Sequence, residues 1–148
     1  MAAQITGMEE GLQFFPPAQP PQQMNPLALA YLGDALYDLF IRQYVLSQPN
    51  HRVNTLHRDA TRYVSARAQA AAVRLWEEHL TEEERDVMRR GRNAKSHAAP
   101  KNTSVQEYRH STGFECLLGY LYLTKRHERM EQLMRLTVDS KQEEGTSP

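Results

Sequence analysis

Residues 26–37 read PLALAYLGDALY, a segment that is almost wholly apolar. Its composition predicts a buried helix, and Pro26 is suited to the first helical position. The only charged residue in the segment is Asp34, which follows Gly33. An ionised carboxylate is costly to bury among apolar residues unless a positive partner accompanies it. Asp34 is therefore the first candidate functional residue.

A second apolar segment, at residues 113–123, has a similar composition. It reads GFECLLGYLYL, and its only charged residue is Glu115, four positions before Gly119. Because glycine has no side chain, Gly33 and Gly119 would let the two predicted helices approach closely. We expect the helices to pack side by side and to present Asp34 and Glu115 at one opening. The alternative is that each acid forms a structural ion pair with an arginine from elsewhere in the chain.

Length and cysteine content indicate one domain of ordinary size. A chain of 148 residues buries about two thirds of its surface on folding, so it needs no metal or disulfide to complete its core. The single cysteine, Cys116, precludes an intramolecular disulfide and is predicted to be a small core residue. We expect a cytoplasmic protein without a membrane-spanning segment.

Helical periodicity between residues 25 and 138 predicts an all-α domain of five to seven helices. Residues 1–24 contain FFPPAQPPQQ and are expected to form a flexible N-terminal arm, and residues 139–148 a polar C-terminal tail. The predicted helices cover approximately residues 25–46, 55–79 (as one helix or two), 82–90, 104–125 and 127–138. The inner stripe predicted for the second region consists of Ala60, Tyr63, Val64, Ala68, Ala71 and Leu75.

The formal net charge of zero conceals an uneven distribution of charge. Residues 85–109 contain seven Lys or Arg residues and two Asp or Glu residues, a net charge of +5. Within this segment, GRNAKSHAAPKN at 91–102 is predicted to be a loop, whose cations could follow a phosphate backbone. A solvated surface loop is the alternative. An adjacent acidic block at residues 77–84 contains five glutamates and is predicted to be solvated.

Several motif-based chemistries find no support in the sequence. It contains no HExxH or Cys/His zinc pattern, no GxSxG elbow, no P-loop and no GxGxxG fingerprint. The acid pair remains, and helical spacing places Asp38 and the neutral oxygen of Thr112 on the same two faces. Two carboxylates together with phosphate oxygens suit Mg²⁺, which keeps several waters. Asp38 itself is expected to form an ion pair or hydrogen bond at the rim.

Five segments, in this order, resemble the catalytic domain of ribonuclease III, and within that family the short bacterial Mini-ribonuclease III branch. They are LALAYLGDALYDLFIR at 27–42, YVSARAQA at 63–70, RRGRNAKS at 89–96, PKNTSVQEYR at 100–109 and STGFECLLGYLYL at 111–123. The resemblance implies an all-α endonuclease fold, a homodimer and Mg²⁺-dependent hydrolysis of double-stranded RNA, with Mn²⁺ as a candidate substitute. Its products would carry a 5′-phosphate and a 3′-hydroxyl.

The resemblance also implies roles for individual residues. Asp34 and Glu115 correspond to catalytic metal ligands of the family. Tyr31 lies where relatives present an aromatic residue at the dimer interface, and packing in the core is the equal alternative for this residue. Ordinary family members have further acids where this chain has Ala30 and Thr112, a pattern similar to the Mini branch that leaves the number of metal ions open.

The substrate implied by the Mini branch is precursor large-subunit (23S) ribosomal RNA in assembling ribosomes, with a ribosomal protein as a candidate stimulator. The chain is expected to lack the double-stranded-RNA-binding domain of longer relatives, so its own basic segment would contact the RNA. The residues predicted to do so are Arg90, Arg92, Asn93, Lys95, Ser96 and Lys101.

Two other functions stay open at this point. A non-catalytic factor for double-stranded RNA binding or ribosome assembly would bind duplex RNA without Mg²⁺-dependent products, and the missing acids at Ala30 and Thr112 favour it. A helical hydrolase of small nucleotides normally has denser ExxE-type acid clusters than this sequence offers, so this alternative ranks last.

Overall fold

A computed structural model describes residues 13–94 and 99–146 of the chain, with side-chain environments as far as residue 139. This part of the chain contains six α-helices and no β-strand, which confirms the predicted all-α fold class. The helices are α1 (Pro26–Ser47), α2 (Leu56–Val64), α3 (Ala66–Trp76), α4 (Glu82–Asn93), α5 (Val105–Leu123) and α6 (His127–Thr146), and 3₁₀ turns occupy Pro21–Gln23 and Val53–Thr55. None of the helices described is both long and apolar enough to cross a membrane.

Helix α5 forms the centre of the fold and packs against α1, α3, α4 and α6. Every residue at positions 111–122 is buried except Glu115. The Phe114 ring stacks on Trp76 of α3 with a centroid separation of 4.3 Å, and it meets Tyr37 of α1 edge-on at 4.8 Å. Large aromatic side chains contribute much of the apolar area that a small core buries. These three rings therefore hold α1 and α3 against the central helix.

Ser65 divides the region predicted as one helix or two. Its extended backbone (φ −63°, ψ 155°) ends α2, and its hydroxyl accepts a hydrogen bond from the Ala68 N–H at the start of α3. Because the helix restarts here, the face that α3 buries is rotated from the predicted one. The predicted inner stripe through Ala68, Ala71 and Leu75 is wrong at Ala71, which is exposed. The buried residues of α3 are Gln69, Ala70, Ala72, Val73 and Trp76.

The sequence spacing of Thr81 and Glu84 predicts a capping box, and one is present at the start of α4. The Thr81 hydroxyl accepts from the Glu84 N–H at 3.1 Å, and the Glu84 carboxylate accepts from the Thr81 N–H at 2.9 Å. The helix then continues to Asn93, so residues 91–93 are helical rather than part of the predicted loop. Packing of the buried Gly91 against α5 stabilises this extra turn.

Two further helix boundaries differ from the sequence prediction. Helix α5 begins after Ser104, whose hydroxyl accepts from the Glu107 N–H at 3.0 Å, rather than after Thr103. Helix α6 runs to Thr146 instead of ending near Val138. The added residues are mostly polar. Those of them that are Lys, Gln or Glu have a high helix propensity, so they extend the helix without an apolar face.

The acidic block at residues 77–84 is only partly solvated, and the prediction is wrong for Glu84. This residue is buried, and its carboxylate pairs with Arg129 of α6 at 2.9 Å. Glu83 lies closer to the surface and pairs with Arg126 at 2.9 Å. Each of these acids therefore has an arginine partner, and for the buried Glu84 that partner offsets part of the cost of removing a charge from water.

Only the end of the predicted N-terminal arm, within its described residues, packs against the core. Phe14 and Phe15 are exposed, whereas Met24 is partly buried against the core. The proposed boundaries of the arm and of the C-terminal tail stay predictions.

Candidate active site

Helices α1 and α5 cross in backbone contact at two glycines. A Cβ atom on Gly33 would lie 1.8 Å from the carbonyl oxygen of Glu115, and one on Gly119 would lie 2.0 Å from that of Leu29. No side chain fits at these distances, so the crossing requires glycine at both positions. As a result, Asp34 lies beside the turn of α5 that carries Glu115.

The carboxyl groups of Asp34 and Glu115 meet at this crossing. The Glu115 carboxyl, when protonated, donates a hydrogen bond to Asp34. Glu115 is partly buried, whereas Asp34 is exposed to solvent. The two acids that the sequence analysis singled out are therefore brought together, with one of them open to an approaching ligand.

The environment of Glu115 strongly favours its neutral form. Burial, together with the hydrogen bond and negative charge of Asp34, raises the pKa of this carboxyl to about 9. A hydrogen bond from Gln69 acts in the opposite direction. So high a pKa indicates that Glu115 has no positive partner. A cation bound beside it would stabilise the ionised carboxylate.

No positive side chain of the described residues occupies that place. The ion pairs found there join other acids to their arginines and leave Asp34 and Glu115 out. The alternative of two structural ion pairs therefore has no support in this part of the chain. Two facing carboxylates without a protein cation fit a divalent metal ion such as Mg²⁺, whose preferred ligands are oxygens.

The donor set around the pair is sparse. Among the residues with described positions, no third Asp, Glu, His or Cys joins Asp34 and Glu115 in a cluster. Ala30 is buried, and the buried Thr112 hydroxyl donates to the Tyr108 carbonyl at 3.0 Å. A metal ion at this place would thus complete its coordination with water and phosphate oxygens, as Mg²⁺ commonly does.

Asp38 lies one helical turn beyond Asp34 and has a different partner. Its carboxylate pairs with Arg42 at 2.8 Å. Its ion pair is the arrangement that the sequence analysis expected at the rim.

Gln69 contacts the acid pair and was missed by the sequence analysis. Its side chain is 1% exposed, accepts a hydrogen bond from the Ser111 hydroxyl and donates one to Glu115. The only sequence clue was an isolated polar residue in the alanine-rich run at 68–72.

The predicted RNA-binding residues occupy the end of α4 and the segment that follows it. Arg90, Arg92 and Asn93 lie in the last turn of the helix, and Lys101 is exposed beyond it, while Lys95 and Ser96 lie outside the described residues. A Cβ on Gly91 would lie 2.6 Å from the Cβ of Cys116. The basic end of α4 therefore packs against the part of α5 that contains Gly113 and Cys116.

The side chains at the end of α4 differ in their partners and in their exposure to solvent. Arg90 lies 3.9 Å from Asp86 one turn earlier, and Arg92 lines a surface cavity of about 370 Å³ together with His110. Both arginines are partly exposed and Asn93 is fully exposed. The described part of the predicted set can therefore reach a ligand at the surface.

Two other predicted residues have contrasting environments. Tyr31 is 86% exposed on α1, so it has no role in the core of a single chain. Cys116 is buried, and burial raises the pKa of its thiol to about 12. It is a core residue, as predicted, and an unreactive one.

Comparisons with known proteins give a matching family and several similar proteins. The Ribonuclease III domain family model matches residues 27–126. The chain is 54% identical to Mini-ribonuclease 3 of Enterococcus faecalis over 119 residues, covering 79% of this chain and 90% of that protein. It is 53% identical to Mini-ribonuclease 3 of Symbiobacterium thermophilum over 119 residues, covering 80% and 92%.

A solved structure has the same arrangement of helices. The crystal structure of a protein from Fusobacterium nucleatum superposes with a TM-score of 0.75 at 28% identity, covering 84% of this chain and 99% of that one. The family model and these relatives each span most of the chain. This chain therefore belongs to the ribonuclease III family of endoribonucleases, which confirms the resemblance carried by its five matching segments.

Proposed function

We propose that this protein is a Mg²⁺-dependent endoribonuclease that cleaves double-stranded RNA, with Asp34 and Glu115 as its metal ligands and catalytic residues. One observation carries the proposal: two carboxylates face each other at a helix crossing, and the described residues offer them no cation. Family membership supports the reaction class, and the similarity to Mini-ribonuclease 3 proteins supports an RNA substrate.

Each acid has a distinct part in the proposed site. Asp34, exposed at the opening, and Glu115, once it has lost its proton, would be the two protein ligands of a divalent ion. Such an ion would supply positive charge beside the scissile phosphate and lower the pKa of a water molecule. Attack by that water on phosphorus would break the bond to the 3′ oxygen, which takes up a proton, and would leave a 5′-phosphate and a 3′-hydroxyl. Mn²⁺, which also binds carboxylate oxygens, is expected to substitute.

A cleavage assay tests the proposal directly. Duplex RNA is incubated with the protein and Mg²⁺, and the unmodified protein is compared with Asp34→Asn, Glu115→Gln and Asp38→Asn. We expect the first two variants to lose more than about 100-fold in rate, because loss of an outer partner of a metal ligand alone costs about 10–100-fold.

Asp38→Asn is the matched control, since Asp38 lies on the same helix but pairs with Arg42. It should retain most of the activity. Normal cleavage by a folded Asp34→Asn or Glu115→Gln would refute the assigned site. Duplex binding without any cleavage by the unmodified protein would instead support a non-catalytic factor.

The RNA-binding surface that we propose comprises Arg90, Arg92, Asn93, Lys95, Ser96 and Lys101. Cations at the end of α4 and in the segment after it would neutralise backbone phosphates of a bound RNA. Replacing Arg92 and Lys101 with Gln should weaken binding and reduce the salt slope by about one per lost phosphate contact. The control is Arg135→Gln, since that exposed arginine on α6 already pairs with Glu131 at 2.8 Å. An unchanged slope in the double variant would exclude these contacts.

We also propose a homodimer, with Tyr31 at its interface. Tyr31 and Leu39, eight residues apart on α1, are exposed, as is Ala35 between them. An apolar stripe of this kind marks a binding surface, and a second copy would cover it. Two copies would place one acid pair against each strand of a duplex. Sedimentation measures the oligomeric state of the unmodified protein and of Tyr31→Asp. A monomeric unmodified protein would contradict the proposal.

The proposed cellular substrate is precursor large-subunit (23S) ribosomal RNA in assembling ribosomes. The similarity to Mini-ribonuclease 3 proteins over most of the chain supports it. Mapping the ends of this RNA in cells that lack the protein should show unprocessed termini, and mature termini would contradict the assignment. Comparing naked precursor with assembling particles would reveal whether a ribosomal protein stimulates cleavage.

A further inference from the structure

Gln69 has an environment that is unusual for its residue type. It lies in the first turn of α3, and its side chain is 1% exposed. Glutamine is seldom fully buried, because an amide removed from water must have its hydrogen bonds replaced by the protein. The partners of Gln69 therefore indicate why a polar residue occupies this position.

Both known partners of the Gln69 side chain lie on one face of α5. Its Oε1 accepts a hydrogen bond from the hydroxyl of the buried Ser111, and its amide group donates one to Glu115. Ser111 and Glu115 are four residues apart, so one turn of the helix presents both to the same side chain. Gln69 thus bridges a buried hydroxyl and the partly buried acid of the candidate active site.

The two ends of the Gln69 amide face different partners. Because Oε1 is directed to Ser111, the NH₂ group is the end that points to the carboxylate. A hydrogen bond from this NH₂ group limits the directions in which the Glu115 carboxylate can point.

We propose that Gln69 is a positioning residue that, with Ser111, holds the Glu115 carboxylate in the orientation that shares a divalent cation with Asp34. This inference rests on the proposed function. A purely structural role for Gln69 would be satisfied by any polar partner, whereas here the amide is directed to one of the two acids. Outer-shell hydrogen bonds of this kind orient metal ligands and commonly affect metal affinity.

The test compares metal binding by three variants in the absence of RNA. Gln69→Leu removes the amide at nearly constant volume, and Ser111→Ala removes the bond that orients it. Thr137→Val is the matched control, because it disrupts a buried hydrogen bond of 2.9 Å from Tyr37, in which neither acid of the pair takes part. Mn²⁺ affinity is measured from the electron paramagnetic resonance signal of the free ion, and folding from circular dichroism.

We expect Gln69→Leu to bind Mn²⁺ about 10–100-fold more weakly. Ser111→Ala should change in the same direction by less, and Thr137→Val should bind Mn²⁺ normally although it is less stable. Cleavage by Gln69→Leu should recover as the Mg²⁺ concentration is raised, because the defect is in metal affinity.

Unchanged Mn²⁺ affinity in folded Gln69→Leu would overturn the inference. If that variant does not fold, unchanged affinity in Ser111→Ala overturns it instead. The proposed function fails separately, if the unmodified protein binds no Mn²⁺ and leaves duplex RNA intact.

Discussion

Glu84 and Glu115 are both glutamates removed from water, yet their surroundings differ in the sign of the nearest charge. Glu84 pairs with Arg129 at 2.9 Å and accepts from the Thr81 N–H. Glu115 has another acid, Asp34, beside it. Both carboxylates lie where a core helix meets its neighbours, so the difference comes from their partners.

The pKa values of the two glutamates move in opposite directions for this reason. Burial by itself would raise the pKa of Glu84, but the hydrogen bonds and charge of Arg129 and the Thr81 N–H outweigh burial and lower it. Burial and the neighbouring Asp34 together raise the pKa of Glu115 to about 9. A glutamate kept without a cation is unfavourable for folding, which is typical of functional positions.

The largest effect expected is from Gly33→Ala, which would separate the two acids without changing any charge. The added Cβ would lie 1.8 Å from the Glu115 carbonyl oxygen, so α1 and α5 must move apart. We expect a loss of about 3 kcal/mol in the free energy of unfolding, at the upper end of overpacking costs, and loss of Mn²⁺ binding. Denaturant unfolding and Mn²⁺ titration measure both.

An alanine-to-glycine exchange on the same helix provides the control for Gly33→Ala. Ala28 is exposed near the start of α1. Ala28→Gly should cost at most about 1 kcal/mol and leave Mn²⁺ binding intact. If Gly33→Ala behaves like this control, the close crossing is not needed to assemble the site.

Glu84→Gln should lower the free energy of unfolding by roughly 2–3 kcal/mol. The variant leaves Arg129 without its charged partner, and the cost is below the about 3–5 kcal/mol of a fully buried pair because Arg129 is partly exposed. Urea unfolding at neutral pH measures the change. Unaltered stability would show that the ion pair with Arg129 does not stabilise the fold, so that Glu84 and Glu115 differ less in energy than their surroundings indicate.

A smaller effect is expected in the pH dependence of stability without divalent ions. The lowered pKa of Glu84 gives stability that is present above its usual pKa and lost as the pH falls through the lowered value. The raised pKa of Glu115 gives the opposite slope: its contribution is complete below the usual 4.5 and declines as the pH rises towards 9.

Unfolding measured with a chelator over roughly pH 3 to 9 separates these two contributions. Glu84→Gln should remove the loss of stability on the acid side, and Glu115→Gln should remove the decline on the alkaline side. Curves that keep both slopes in both variants would contradict the assignments.

The sequence predicted the acid pair well because its signals are local. A lone acid next to a glycine in an apolar segment is visible without knowing the fold, and Gly33 and Gly119 indicated where two helices would approach. The capping box at Thr81 and Glu84 was likewise readable from spacing, and its two hydrogen bonds are present. These features depend on neighbours within a few residues.

Tertiary contacts without a local signal in the sequence were predicted poorly. The face that α3 buries follows from the restart at Ser65, and the burial of Glu84 depends on Arg129, 45 residues later. Gln69 was missed for the same reason, since Ser111 lies 42 residues away. No periodicity in the sequence links residues so far apart, so only the packing of the helices could reveal them.

The most direct test of the central claim, that Asp34 and Glu115 form a site for a divalent ion, is the stability of Glu115→Gln at about pH 8, with and without Mn²⁺. Without the ion, the variant should be at least as stable as the unmodified protein, because it removes a carboxyl whose ionised form is unfavourable there. Mn²⁺ at about 100 times its dissociation constant should stabilise only the unmodified protein, by about 2.7 kcal/mol. A Glu115→Gln variant that is destabilised as Glu84→Gln is, or that Mn²⁺ stabilises equally, would contradict the claim.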